Sequence, residues 1–214
     1  DIKFNKDLDI AFFEQKLNQL NLKETNIKFE LNKQNKNSVS LEGLFSLNGK
    51  DKYEKYKLKN SFSKNKSNFD INFDINEEIF IKIINYKKDI SKVGNIEANF
   101  EILKDKIHIK NFVYKEDKSS ISLENVKINK KNQLESFKNI KVRTYQDSKE
   151  NNNLEIVFGK KISVKGKSFD SSNLIKELSD DNKTNTFNKI NKEISISFED
   201  IITKLKAPLK NFNL

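Results

Sequence analysis

Large apolar and short polar side chains alternate without interruption from Phe69 to Ile75, in the order Phe-Asp-Ile-Asn-Phe-Asp-Ile. Successive side chains of a strand point to opposite faces, so this segment predicts a strand with one apolar and one polar face. Versions of the pattern recur along most of the chain. They predict a mainly β fold: an elongated, twisted, largely antiparallel meander sheet with one apolar side.

The same alternation predicts further strands, with turn residues between them. They cover residues 39–47, 53–62, 79–84, 96–102, 107–114, 121–128, 140–145, 156–158, 162–164 and 194–198. Residues 8–22 fit two patterns, because Ile10, Phe13 and Leu17 also lie at helical spacing. We favour strands there, with a turn near Gln15.

One segment interrupts the strands. Ser171 and Ser172 can cap a short helix over residues 171–179, and a polar loop follows, so that 171–188 lies outside the β pattern. Glycine is scarce and proline occurs once, which leaves no obvious interdomain linker. We therefore expect residues 1–214 to form one continuous β unit. The chain contains no methionine, and we expect it to be a segment of a larger protein.

The chain carries a formal net charge of +10, and Arg143 is its one arginine. Proteins that read nucleic acid usually use arginine for bidentate contacts to phosphate and guanine. Lysines spread along strands instead solvate the polar face and protect sheet edges from unwanted pairing. The charge therefore predicts no specific nucleic-acid partner, although a weaker alternative is a lysine-rich binder of polyanions.

The candidate chemistry is sparse. The chain has no cysteine, and His108 is its one histidine, so a zinc site or a Ser-His-Asp triad would lack essential members. Asp70 begins a partial match to a calcium loop, but Ile75 and Ile81 replace the required glycine and glutamate. The sequence predicts no catalytic residue, no metal and no cofactor, and therefore a protein that is not an enzyme.

No stretch of the sequence is apolar for long enough to span a bilayer as a helix. The most apolar one, residues 79–84, contains Lys82. We expect any membrane anchor to lie outside these residues.

One stretch is more specific than a generic strand pattern. Residues 162–175 combine a strand, Gly166, the pair Phe169-Asp170 and a short helix carrying Leu174. This combination resembles an element of the AsmA-like, YhdP-type bacterial envelope proteins. Residues 94–100, 119–128 and 194–213 are similar to other parts of that family, and the likeness covers about residues 39–214. The chain departs from the family's usual composition in its many lysines and asparagines and its few glycines.

The resemblance implies a sheet curled into a groove, as in bridge-like lipid-transfer proteins of the repeating β-groove kind. It implies a periplasmic location, an inner-membrane anchor outside this segment, and transfer of phospholipid that supports outer-membrane integrity. The implied partners are phospholipid acyl chains; partner proteins stay unknown, and the family offers no catalytic residues.

An apolar groove floor can hold acyl chains, because each buried methylene contributes about 0.8 kcal/mol. The predicted groove residues are Phe45, Leu47, Phe69, Ile71, Phe73, Ile75, Ile96, Ala98, Phe100, Ile102, Ile156 and Phe158. The alternative is a structural or protein-interaction β module whose apolar face closes on itself or on a partner. The two hypotheses differ in whether the apolar face is open or sealed.

Overall fold

A computed structural model of the protein describes residues 2–8, 16–31, 37–174, 176, 191–205 and 207–214. The described residues form one large sheet of 14 strands that is not closed into a barrel. A separate two-stranded sheet is formed by β6 and β7. The predicted mainly β, largely antiparallel architecture is confirmed.

The strand bounds follow the alternation of the sequence. They are β1 Ile2–Leu8, β2 Leu17–Glu30, β3 Asn37–Leu47, β4 Glu54–Ser63, β5 Lys66–Ile75, β6 Ile79–Ile81, β7 Tyr86–Lys88, β8 Gly94–Leu103, β9 Lys106–Glu116, β10 Ser119–Asn129, β11 Leu134–Ser136, β12 Asn139–Gln146, β13 Lys149–Phe158, β14 Ile162–Asp170, β15 Ile194–Ile202 and β16 Leu209–Asn213. The strands predicted within residues 8–22 are confirmed at Leu8 and from Leu17 onward, and the turn predicted near Gln15 lies mostly outside the described residues.

Neighbours in the chain are mostly neighbours in the sheet, whose order is β1-β2-β3-β4-β5-β8-β9-β10-β12-β13-β14-β15-β16. β11 pairs with β10 beside this path. One pair departs from the meander, because β14 and β15 are parallel. A parallel neighbour needs a long connection that returns the chain to the starting margin, and residues 171–193 supply it.

The short helix falls in this connection. Leu174 and Lys176 are helical, and the remainder of the predicted helix and polar loop lies mostly outside the described residues. The predicted capping by a serine hydroxyl is not seen at Ser171, and residue 175, which the Ser172 hydroxyl would cap, lies outside the described residues. Ser171 donates its side chain to the carbonyl of Ile202, and the Asp170 carboxylate instead accepts from the backbone N–H of Ser172.

The predicted strand over residues 79–84 is wrong in part. Residues 79–81 form β6, and Lys82–Ile84 form a 3₁₀ turn that ends at Asn85 in the left-handed conformation, with φ 46°. The chain then returns as β7, antiparallel to β6. We call residues 76–93, which connect β5 to β8, the cap hairpin. It leaves the main sheet because its side chains pack onto the apolar face.

Candidate functional site

All twelve predicted groove residues lie on one face of the main sheet, which we call the apolar face. The register pairs Ile71 with Ala98, and residues that face each other across antiparallel strands share a face. The same register pairs Phe73 with Ile96, and it pairs Phe69 with Phe100, whose rings stack at 5.0 Å. The other six groove residues lie on the same face, either because they pair across neighbouring strands or because they stand two positions along a strand from such a residue. They are Phe45, Leu47, Ile75, Ile102, Ile156 and Phe158.

The centre of this face carries one apolar residue from each of ten strands. We call this set the central row: Leu41, Leu58, Ile71, Ala98, Phe112, Leu123, Ile140, Ile156, Val164 and Ile196. Each member is partly buried by its neighbours and keeps part of its surface exposed. The row therefore forms a continuous apolar strip across most of the sheet.

A parallel row beside the central row is sealed. This covered row comprises Ile96, Tyr114, Ile121, Val142, Leu154 and Phe198, all of them buried. Ile79, Ile84 and Tyr86 of the cap hairpin belong to the same buried cluster. The cap hairpin therefore supplies a second layer over one margin of the apolar face, which we call the cap margin.

The predicted groove residues divide accordingly. Ile75 is 0% exposed and Ile96 is 4% exposed, and Phe45 is buried against the rings of Tyr56 and Phe73. In this arrangement these three side chains contact protein. Ile102 is exposed, and the remaining eight are partly buried. The partly exposed apolar surface between the cap hairpin and the opposite margin is called the open strip below.

Polar groups at the ends of the strands hold the cap hairpin in place. Asn152, fully buried on β13, donates from Nδ2 to the carbonyl of Ile84 at 2.7 Å and to Thr144 Oγ1 at 2.8 Å. Asn85 donates from Nδ2 to the Asp170 carboxylate at 2.9 Å. Because buried polar groups cost free energy when unpaired, these bonds specify one position for the hairpin.

A second anchor lies where Tyr86 meets β9. The Tyr86 hydroxyl donates to the carboxylate of Glu116 and lies 3.0 Å from the Tyr114 hydroxyl. Burial raises the pKa of both phenols, and the adjacent Glu116 carboxylate raises it further. Both tyrosines therefore stay protonated at neutral pH, and they serve as hydrogen-bonding groups rather than as bases.

Two ionisable side chains are buried beside this anchor. Lys88 is 0% exposed, and burial lowers its pKa although Glu116 and Glu54 oppose that shift. Glu54 accepts a hydrogen bond from the backbone N–H of Asn76 at 2.8 Å, and burial raises the pKa of its carboxyl. Each shift reflects desolvation by the hairpin, so the cluster supports a packed lid rather than an exposed catalytic site.

The sequence analysis missed the cap hairpin, although a signal for it exists. Glu116 and Thr144 each occupy the position where the alternation of their strand would place another apolar residue. Asn152 does the same at the start of the apolar run on β13. When several strands carry a polar residue at a position of the apolar face, and all these positions lie at one margin, a segment with polar groups is expected to cover that margin.

The residues that carry the family resemblance lie at the β14 end of this arrangement. Gly166 stands between Leu154 and Phe198 in the covered row, and Phe169 stacks on Phe198 at 5.5 Å. Asp170 is the buried acceptor for Asn85, and Leu174 begins the helical turn. The structure thus gives the first three residues packing and anchoring roles at the cap hairpin.

The opposite face of the sheet is polar and bears ion pairs. Glu101 bridges Lys66 at 2.9 Å and Lys110 at 2.6 Å, and these hydrogen bonds lower the pKa of its carboxyl to about 2. A shallow cavity of about 600 Å³ extends from β2 to β9. Its lining combines charged side chains such as Lys57 and Asp70 with Leu41, Leu58, Ile71 and Ala98 of the central row. Its mixture of both charges favours no particular ligand.

Among the described residues, no cluster of three or more histidine or acidic side chains has a metal-binding arrangement. His108 is partly buried and lies 3.3 Å from the Asn125 side-chain oxygen. In the part of the chain that the structure describes, no helix has the length and apolar character needed to cross a bilayer.

Comparison with protein-family models, with curated proteins and with solved structures finds no match to this chain. The resemblance to AsmA-like proteins therefore stays a hypothesis based on short motifs.

Proposed function

We propose that the protein binds the acyl chains of phospholipid on the open strip and takes no part in covalent chemistry. The central row carries this proposal, because it presents ten partly exposed apolar side chains in an unbroken line. Soluble proteins rarely leave such a large apolar surface without a ligand or partner. Many similar weak contacts would hold a chain without fixing it at one point, which suits movement along the strip.

The cellular setting follows from the motif resemblance and belongs to the same proposal. The chain is proposed to be a periplasmic segment of an AsmA-like protein, anchored to the inner membrane by a region outside these residues. It would conduct phospholipid between the inner and outer membranes and so support outer-membrane integrity.

A second candidate is a structural or protein-interaction β module with a closed apolar core. The buried covered row supports it, because Ile75 and Tyr86 are fully inaccessible beneath the cap hairpin. In that case the open strip would be covered by protein, and lipid would have no place on it.

Two adjacent substitutions separate these functions. Ala98 lies on the central row, and Glu97 is exposed on the opposite face of the same strand. Ala98→Trp should obstruct the strip and weaken binding of a fluorescent fatty acid by at least about tenfold, since displacing a few methylenes costs about 0.8 kcal/mol each. Glu97→Trp should leave binding unchanged, because its ring projects from the polar face.

Circular dichroism of both variants checks that the sheet is retained. If the wild type takes up no fatty acid, or if Ala98→Trp binds it as tightly as the wild type, the lipid-binding proposal fails and the interaction module is favoured.

A further inference from the structure

Charge is distributed unequally between the two margins of the sheet. Antiparallel strands place alternate turns at opposite margins, so the turns after β4, β8, β10 and β13 lie opposite the cap hairpin. These four turns and their flanking residues contain eight lysines and one acid: Lys64, Lys66, Lys104, Lys106, Lys130, Lys131, Lys160, Lys161 and Asp105. We call this margin the basic rim.

The turns of the cap margin, by comparison, carry nearly equal numbers of lysines and acidic residues. The turns after β3, β9 and β12, with their flanking residues, contain four lysines and five acids: Lys50, Lys52, Lys118, Lys149, Asp51, Glu54, Glu116, Asp117 and Asp147. The excess of lysines over acids at one margin is therefore a property of the fold. It does not follow from the lysine-rich composition of the chain alone.

Ion pairing increases this difference. At the cap margin Lys50 pairs with Glu77, Lys87 with Glu78, and Lys92 with Glu116 and Asp117. At the basic rim Lys66 pairs with Glu101. Within the described residues, the other seven rim lysines make no ion pair, and six of them are exposed in turns of two to four residues.

The basic rim borders the open strip along β4, β5 and β8. Between β10 and β13 a buried cluster of Val126, Leu134 and Phe137 lies beside the rim and packs against central-row residues. Phe62 and Ile102 are both exposed on the apolar face, two residues before Lys64 and Lys104 of the rim turns. At the β13 turn the ammonium group of Lys192 lies 4.3 Å from the centre of the Phe158 ring. From Ile71 on the central row to Lys66 at the rim is five residues, or about 17 Å along the strand.

We propose that the basic rim binds the anionic headgroup of the lipid whose acyl chain lies on the open strip. This inference rests on the proposed lipid-binding function and adds to it a preference for negatively charged amphiphiles. Unpaired ammonium groups beside an apolar surface attract such headgroups, and the cap margin offers no comparable cluster.

The test compares two lysophospholipids with the same acyl chain, one with a phosphatidylglycerol headgroup and one with a phosphatidylcholine headgroup, below their micelle concentrations. The wild type should bind the anionic lipid about tenfold or more tightly at low salt, and the preference should shrink as salt screens the rim. The rim variant Lys64→Gln, Lys104→Gln, Lys130→Gln, Lys160→Gln should bind both lipids with similar affinity.

A matched variant at the cap margin controls for net charge. Lys52→Gln, Lys82→Gln, Lys118→Gln, Lys149→Gln removes the same charge from four exposed positions and should keep the preference. Equal binding of the two lipids by the wild type, or equal loss of preference in both variants, overturns the rim inference and leaves the proposed function standing.

Two other outcomes of the binding experiment bear on the proposed function and on the specificity of the rim. If neither lipid binds, the proposed function itself fails. If a short DNA duplex displaces the anionic lipid, and the rim variant abolishes duplex binding, the rim is a general polyanion site and the inference is overturned.

Discussion

Gly166 lies where β13, β14 and β15 come into close contact. A β-carbon built at this position would stand 2.8 Å from Leu154 Cβ and 2.8 Å from Phe198 Cε1, and closer still to the Asn153 carbonyl. Real β-carbons do not approach backbone and packed side chains so closely, so the residue must be glycine for steric reasons.

Gly166→Ala should therefore lower the free energy of unfolding by about 1–3 kcal/mol, because the strands must move apart to admit the methyl group. Urea unfolding measures the difference. Gly159→Ala is the matched control, since the nearest atom to its new β-carbon is the Lys161 carbonyl oxygen at 3.5 Å. That variant should stay within about 0.5 kcal/mol of the wild type. Equal stability of the two variants would contradict the described packing at Gly166.

Single residues also show which parts of the site were predictable. The phase of Ile71, Ala98 and Ile156 follows from alternation alone, because a strand has a period of two and the register preserves it. That Ile75 and Ile96 are sealed was not predictable in this way. Their burial depends on Ile79 and Tyr86, which reach them through tertiary contacts.

At the scale of elements, the cap hairpin is the part of the fold that alternation described least well. Its polar anchors are spread over β4, β9, β12, β13 and β14, so they converge only when the sheet is assembled. The parallel pairing of β14 with β15 was missed for a similar reason. Local pattern identifies strands, whereas the direction of pairing depends on the route of residues 171–193.

Asn152→Ala tests the anchoring of this hairpin. The variant loses the bonds to the Ile84 carbonyl and Thr144, and it loses the acceptor for the backbone N–H of Asp170. Buried groups left unpaired should lower the free energy of unfolding by about 2–3 kcal/mol in urea. Amide hydrogen exchange in residues 79–88 should accelerate more than exchange in the central strands.

Asn111→Ala provides the comparison, because Asn111 is exposed on the polar face of β9. Its stability should change by no more than about 0.5 kcal/mol. A wild-type exchange pattern over residues 79–88 in Asn152→Ala would show that the hairpin does not depend on this side chain.

At the scale of the molecule, one sheet carries three different surfaces. The cap margin is sealed by a hairpin and neutralised by ion pairs, the open strip is apolar and partly exposed, and the basic rim carries unpaired positive charge. This order from sealed to apolar to charged runs along the strands, and the proposed amphiphile would lie in that direction with its headgroup at the rim. The alternation predicted the apolar strip, whereas the asymmetry of the margins requires knowledge of which turns lie together.

The most direct test of lipid binding is photolabelling of the intact protein with a fatty acid that carries a diazirine on its chain, followed by residue-level mass spectrometry. The account predicts labels on Leu58, Ile71 and Ala98, which excess unlabelled fatty acid suppresses, and little label on the adjacent Lys57, Asp70 and Glu97. Labelling with a period of two along β4, β5 and β8 would place the acyl chain on the apolar face. Equal labelling of both faces, or no labelling that unlabelled fatty acid suppresses, would contradict it.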